Sequence, residues 1–464
     1  MPVPPARRRA GLALLLLLVP LAYLAAVWSL QPADHLGDPP AAPWLGRLFY
    51  DDYDSTARAL RGLNAELGRP AGQLGHPPDL DGDEFTRALQ APAELRPTYY
   101  LEYPHAALLL FRLGFTFQPH DELAAAPPAL LDGLHNNVVE HTPQNAAERS
   151  VYRRLRVATC VYEAMMVAAL LSLLAVLAVG YEPGGGLSGV AALLLLPAGL
   201  YFAVQRFDVV PALLTALSLA CLGRKRVAAS AGFLALATLV KVYPVVLAPV
   251  LFRYLWADRR AAGWWAAAYF GALAGGIGLT AACCGWAATV APYRVQLSRP
   301  PEFDLPAWMP ALPELGANGH LLVSVVRNGL LLAVVAALCY RPIADLPGVL
   351  RRGALAVLAF LALQVFYSPQ WILWLAPLLL PLARPHRAVL WLYVVFDLVT
   401  YLSFPVVADL PDPSPFVAGP PVWVRLGVWA VLAWVLARAE FRRAARSAAG
   451  TPAGEAALTP ELIR

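Results

Sequence analysis

The chain is short of charge. Of its 464 residues only 14% are Asp, Glu, Lys or Arg, against about 25% in a soluble protein. That shortage excludes an ordinary soluble domain. Cysteine is sparse as well: Cys160, Cys221, Cys283, Cys284 and Cys339 all stand in apolar runs or at their edges. None lies in a long polar loop, so neither a disulfide framework nor a zinc site is expected. Small apolar packing residues are the expected role. There is no P-loop and no dinucleotide-binding glycine fingerprint. The stretch "DLDGDEFTRALQ" (79–90) begins like a calcium loop, but Glu84 stands where glycine is needed and Gln90 where the bidentate glutamate is needed. With no close acidic cluster beyond Asp51 and Asp52, no metal and no cofactor are expected. The net charge of +5 does not point to nucleic acid, because the basic residues stand in short clusters between apolar runs. That is the pattern of membrane topology signals.

What the chain does have is apolar length. It is 59% hydrophobic, and runs of about 15–24 residues recur, close to the roughly 20 that a spanning helix needs. The fold expected is an all-α polytopic membrane protein forming one domain over 1–464. Spans are placed at 11–30, 157–180, 187–204, 209–222, 262–285, 319–340, 350–366, 370–383, 388–406 and 421–440. Spans 209–222 and 370–383 are short and need thinning of the bilayer or shelter in the bundle. The basic start, Arg7 to Arg9, before a run too long for a signal peptide reads as a retained first helix with a cytoplasmic N-terminus. The tail 441–464 is then cytoplasmic too.

Basic clusters at Arg224–Arg226, Arg253 with Arg259 and Arg260, Arg341 with Arg351 and Arg352, Arg384 with Arg387, and Arg442 with Arg443 and Arg446 fall on one side of this map. They do so on one condition: segment 227–252 must enter and leave on the cytoplasmic side as a re-entrant hairpin. Each arm would reach about 20 Å. Broken backbone at that depth is tolerated only inside protein or beside a water-filled cavity. The alternative is a single kinked span; counting the two arms of the hairpin as spans would give 12. Within this segment Lys241 stands in apolar surroundings, three residues before Pro244. A lysine at the bilayer centre costs at least about 2.5–3.5 kcal/mol and usually marks function. The bland reading is a buried Lys241–Asp208 ion pair that locks the bundle.

The unusual polar residues collect on the outer side. A loop over 31–156 contains "LFYDDYDSTARALRGL", an amphipathic helix start whose Asp51, Asp52 and Asp54 suit the positive end of the helix dipole. It also contains "EYPHAALLLF", whose apolar part at 106–115 is too short to span and reads as an interfacial helix with Glu102, Tyr103 and His105 at its mouth. Arg149, Arg153, Arg154 and Arg156 break the charge rule on this side. Arg206 and Asp208 occupy a tight turn, where they either pair with each other or face a ligand. Arg294 stands in "APYRVQLSRPPEFD", and Ser368 and Gln370 in "FYSPQWILW".

Four stretches resemble one known family. "YDSTARAL", "EYPHAALLLF", "RFDVVPALLTALSLACLGRKRVAASAGFLALATLVKVYP" and "YSPQWILWLAPLLL", spanning about 53–383, are similar to the polyprenyl-phosphate-mannose-dependent α-1,2-mannosyltransferases of glycosyltransferase family 87, within the GT-C superfamily. The resemblance implies a GT-C-like bundle and an inverting transfer of a hexose, mannose foremost. The donor would be polyprenyl-phosphate-linked, and the acceptor a glycolipid or glycan on the outer face of a bacterial plasma membrane. It implies an aspartate general base before the tyrosine of "YDSTARAL"; relatives carry it where this chain has Phe49 and Tyr50, so Asp52 or Asp51 is the candidate. The expected donor-phosphate set is Lys241, Arg206, Arg294 and Tyr243. Glu102, Tyr103, His105, Asp208, Ser368 and Gln370 would line the acceptor side. Two other classes stay open: a non-catalytic binding or assembly subunit, and a lipid-linked-sugar transporter. A transporter would carry a second broken hairpin in its other half, and the sequence shows one.

Overall fold

The computed structural model describes residues 5–30, 104–115, 146–181, 189–286, 289–290, 292–293, 316–364, 367–407 and 415–448. The described residues are helical, with no strand among them. Their α-helices are α1 (Pro5–Leu30), α2 (His105–Leu113), α3 (Ala146–Val179), α4 (Pro197–Gln205), α5 (Val209–Gly223), α6 (Val227–Val240), α7 (Ala248–Leu255), α8 (Arg259–Cys284), α9 (Gly316–Tyr340), α10 (Leu346–Ala362), α11 (Ile372–Ala383), α12 (Arg387–Tyr401) and α13 (Pro415–Ala448). Among the described residues six helices are long and apolar enough to cross a membrane, or up to seven if the bent pair α4–α5 counts as one.

Several expected boundaries move. The span expected at 187–204 is a 3-10 turn at Gly189–Leu195 followed by the nine-residue α4, which meets α5 at 106°. Pro197 opens α4, where its missing N–H costs nothing. Two further amides of that first turn are taken by a distant acid: Asp397 of α12 accepts from Ala198 at 3.0 Å and Gly199 at 2.7 Å. α3 starts well before the expected 157 and carries Arg149, Arg153, Arg154 and Arg156 on helix rather than loop. α10 starts at Leu346 because Asp345 caps the Gly348 amide and Pro347 occupies the first turn. Arg351 and Arg352, expected at the cytoplasmic start of the span 350–366, therefore lie more than a turn inside α10 and are buried. Their guanidiniums meet Glu440 of α13 at 2.9 and 2.8 Å.

One pole of the bundle is basic. Arg224 donates to the Gly180 and Tyr181 carbonyls, Arg253 to that of Cys339, and Arg352 to those of Leu338 and Arg341. Arg443 pairs with Asp345 at the same pole. The chain leaves this pole along α6 and comes back to it along α7, as side-chain register shows. Trp265 of α8 donates to Ser230 of α6 at 3.4 Å, the Tyr269 and Thr238 hydroxyls lie 3.2 Å apart, and Gly276 abuts Leu239. Residue numbers rise together, so α6 and α8 are parallel. Two parallel helices in one chain require the segment between them to return to the starting side, so α7 runs back down. α5 and α6 are antiparallel by the same test: Ser218 meets Ser230, and Asp208 meets Lys241.

Candidate functional site

α6 ends where its backbone becomes extended. Lys241 takes φ −150° and ψ 137°, and Tyr243–Leu247 forms a 3-10 turn with Pro244 near its start. Proline lacks the N–H that would continue the ladder. The break therefore sits at the tip, about 21 Å from the basic pole for the 14 residues of α6.

The α4–α5 turn lies beside that tip. Asp208 precedes α5 as its N-cap, yet its carboxylate makes no cap hydrogen bond to its own helix. It turns to Lys241 Nζ instead, 3.2 Å from Oδ1 and 3.4 Å from Oδ2. The indole Nε1 of Trp374 donates to Oδ1 at 2.6 Å. The Asp208 side chain is 1% exposed and that of Lys241 16%. A buried carboxylate with one ionic and one hydrogen-bonded partner is satisfied; with either partner alone it would be costly. Of the two readings of Arg206 and Asp208, pairing with each other is not what Asp208 makes. The Arg206 guanidinium lies instead 6.0 Å from the centre of the Phe404 ring.

Aromatic rings wall this cluster. Tyr243 stacks on Trp374 with centroids 4.1 Å apart and planes at 4°. Its hydroxyl lies 3.5 Å from that of Thr215. Lys241 Nζ stands 4.5 Å from the centre of Phe207 and 5.6 Å from that of Trp374, within cation–π range. Phe111 of α2 meets Phe207 edge-on at 5.8 Å. The row continues from Trp374 to Trp371 and Tyr367, and Arg425 of α13 lies over the Tyr367 ring at 3.5 Å.

Trp374 thus has two roles, a ring against Tyr243 and a donor to Asp208. Trp374→Phe keeps most of the ring and removes the donor. A hydrogen bond to a charged group contributes about 1.5–3 kcal/mol, so a drop of that size in unfolding free energy in detergent is expected. An unchanged stability would mean that water replaces the indole.

The structure brings Lys241, Tyr243 and Asp208 together and places Ser368 and the buried Gln370 at the start of the 3-10 turn Pro369–Trp371. His105 opens α2. Asp51, Asp52, Glu102, Tyr103 and Arg294 lie outside the described residues, as do most of the 31–156 loop and the tail beyond 448. No group of His, Cys, Asp and Glu among the described residues could hold a metal. Three charged residues that sequence reading missed are fully or almost fully buried in the long apolar helices: Glu163, which accepts from Trp28 Nε1 at 3.0 Å, Asp397 and Arg425. A lone charge in an apolar run was the available signal.

Comparison of the sequence with protein-family models gives no match, and comparison with curated proteins gives none.

Proposed function

We propose that the protein is a membrane glycosyltransferase of the GT-C type, moving a hexose, mannose foremost, from a polyprenyl-phosphate donor to a glycolipid or glycan acceptor on the outer face. One observation carries this reading. Residues far apart in the sequence, drawn from two of the four stretches that resemble the mannosyltransferases, meet at one spot: Asp208 with Lys241 and Tyr243, from the two ends of the R-F-D…K-V-Y-P stretch, and Trp374 of S-P-Q-W-I-L-W. The helix of a third stretch, E-Y-P-H, touches the same cluster through Phe111 and Phe207. A motif kept only for local helix formation has no reason to converge in space.

In this reading the bundle has about ten spans, the broken run 189–205 counted as one of them, and a re-entrant hairpin over 227–252. The parallel register of α6 and α8 supports the hairpin. Both chain termini are cytoplasmic, and the site lies in the outer half of the bilayer. The departing lipid phosphate gains negative charge, which fixed cations in a dry site stabilise. Asp52 or Asp51 takes the proton of the acceptor hydroxyl, with inversion at the anomeric carbon. The ion pair of Lys241 with Asp208 also favours a second reading, a lock that only holds the hairpin tip to the α4–α5 turn.

The test is direct. The purified full-length protein, reconstituted with membranes as acceptor source, should release hexose from polyprenyl-phosphate hexose and not from a nucleotide sugar. Failure to move hexose from any polyprenyl-phosphate donor would leave the lock reading.

A further inference from the structure

The Asp208 carboxylate, 3.2 Å from Lys241 Nζ, offsets most of the positive charge that Lys241 carries. A lipid phosphate reaching the hairpin tip therefore meets a nearly neutral pair and needs another cation. Arg327 is placed to be that cation. It stands 13 residues before Tyr340, the end of α9 at the basic pole, hence about 20 Å from that pole. The tip of the hairpin lies at about the same depth, 14 residues along α6.

Arg327 also faces the right way. It shares a helix stripe with Leu331, Val335 and Leu338, spaced four, eight and eleven residues on. Val335 is buried and Leu331 and Leu338 pack against the core. α9 packs on α7 and α10, and near the pole its Cys339 and Leu338 carbonyls accept from Arg253 of α7 and Arg352 of α10. α7 reaches no higher than the hairpin tip, so among the described residues Arg327 stands level with the top of what lies between α8 and α9. Beyond that level the hairpin contributes nothing. The flanking spans α8 and α9 are the least covered of the six, each with 6% of its apolar window buried. At the tip itself Val242 and Val245 are about two-fifths exposed. The Nε of Arg327 is buried and has no hydrogen-bond partner among the described residues. A half-buried guanidinium whose Nε has no partner among the described residues, on a helix stripe of leucine and valine, is complementary to a ligand that is anionic at one point and apolar along its length.

We infer that the gap between α8 and α9, above the hairpin, takes a polyprenyl monophosphate, with Arg327 on its phosphate and the chain against the two apolar walls. This rests on the proposed function for the choice of lipid, but not for the site. A planar guanidinium suits a phosphate through two parallel hydrogen bonds.

The experiment is equilibrium binding to the full chain in nanodiscs of neutral lipid. The probes are a long-chain polyprenyl monophosphate, the matching polyprenol, phosphatidylglycerol and inorganic phosphate. Wild type should bind the monophosphate at least tenfold more tightly than the alcohol. Arg327→Gln should abolish that difference, and Arg327→Lys should restore part of it. Thermal unfolding of both variants checks that they fold, and the lysine variant serves if the glutamine variant does not. The inference is overturned if Arg327→Gln keeps the full preference, if phosphatidylglycerol competes equally, or if wild type shows no preference. Hexose transfer is read separately. Arg327-dependent binding without transfer contradicts the proposed function and leaves this site standing. Transfer with Arg327-independent binding does the reverse.

Discussion

Asp208→Ala will destabilise the protein by about 3–5 kcal/mol, the cost of leaving one charge of a buried pair uncompensated. Lys241 Nζ would lose its carboxylate at 3.2 Å, and Trp374 the acceptor of its 2.6 Å hydrogen bond. The double variant Asp208→Leu, Lys241→Met behaves differently. Replacing a whole buried pair by apolar residues of similar volume is often neutral or stabilising, so its stability should return to near that of wild type. The pair of variants separates the two readings of the cluster. If Asp208 and Lys241 only lock the hairpin, the restored double variant transfers hexose normally. If they shape the donor site, it folds and does not transfer. A neutral Asp208→Ala would mean that water reaches Lys241 and solvates it as an exposed ion. The check is reversible unfolding in detergent beside the transfer assay.

Asp51→Asn with Asp52→Asn is expected to lower hexose transfer by about 10²–10⁴-fold, the usual contribution of a positioned general base. Amide replaces carboxylate at nearly constant volume, so folding and binding of the polyprenyl monophosphate should survive. The single variants identify the base: the one that reproduces the double loss carries it, and the other should stay within a few-fold of wild type. Transfer that persists in the double variant places the base elsewhere.

Much of the architecture was legible because lipid forces simple rules on sequence. Apolar runs of the right length gave most of the long helices. The basic turns gave the common pole at which Arg224, Arg253 and Arg352 bind helix-end carbonyls. Lys241 followed by Pro244 gave the break. The failures have physical causes as well. The run 187–204 is apolar enough to span, but hydropathy is blind to backbone geometry, and the chain there is a 3-10 turn and a short helix whose amides Asp397 caps from nearly 200 residues away. Asp397, Glu163 and Arg425 were hidden because averaging over a long window dilutes one charge among many leucines. Arg351 and Arg352 were expected at the start of a span, but their burial was not legible, because it depends on Glu440, 88 or more residues away, facing them. In the site, the sequence suggested both an Arg206–Asp208 pair and a Lys241–Asp208 pair. Choosing between them needs the 106° bend of α4 against α5, which turns Asp208 towards the hairpin tip.

Site-directed labelling tests the central claim most directly. In a chain with its five native cysteines replaced, single cysteines at Arg226, Val242 and Asp258 are treated from either side of sealed vesicles with a membrane-impermeant thiol reagent. A hairpin that carries Lys241 towards the outer leaflet predicts labelling of positions 226 and 258 from the cytoplasmic side alone, and no labelling of 242 from that side. Labelling of 226 and 258 from opposite sides would make 227–255 a through-going span, and the account of a cation carried on interrupted backbone would be contradicted.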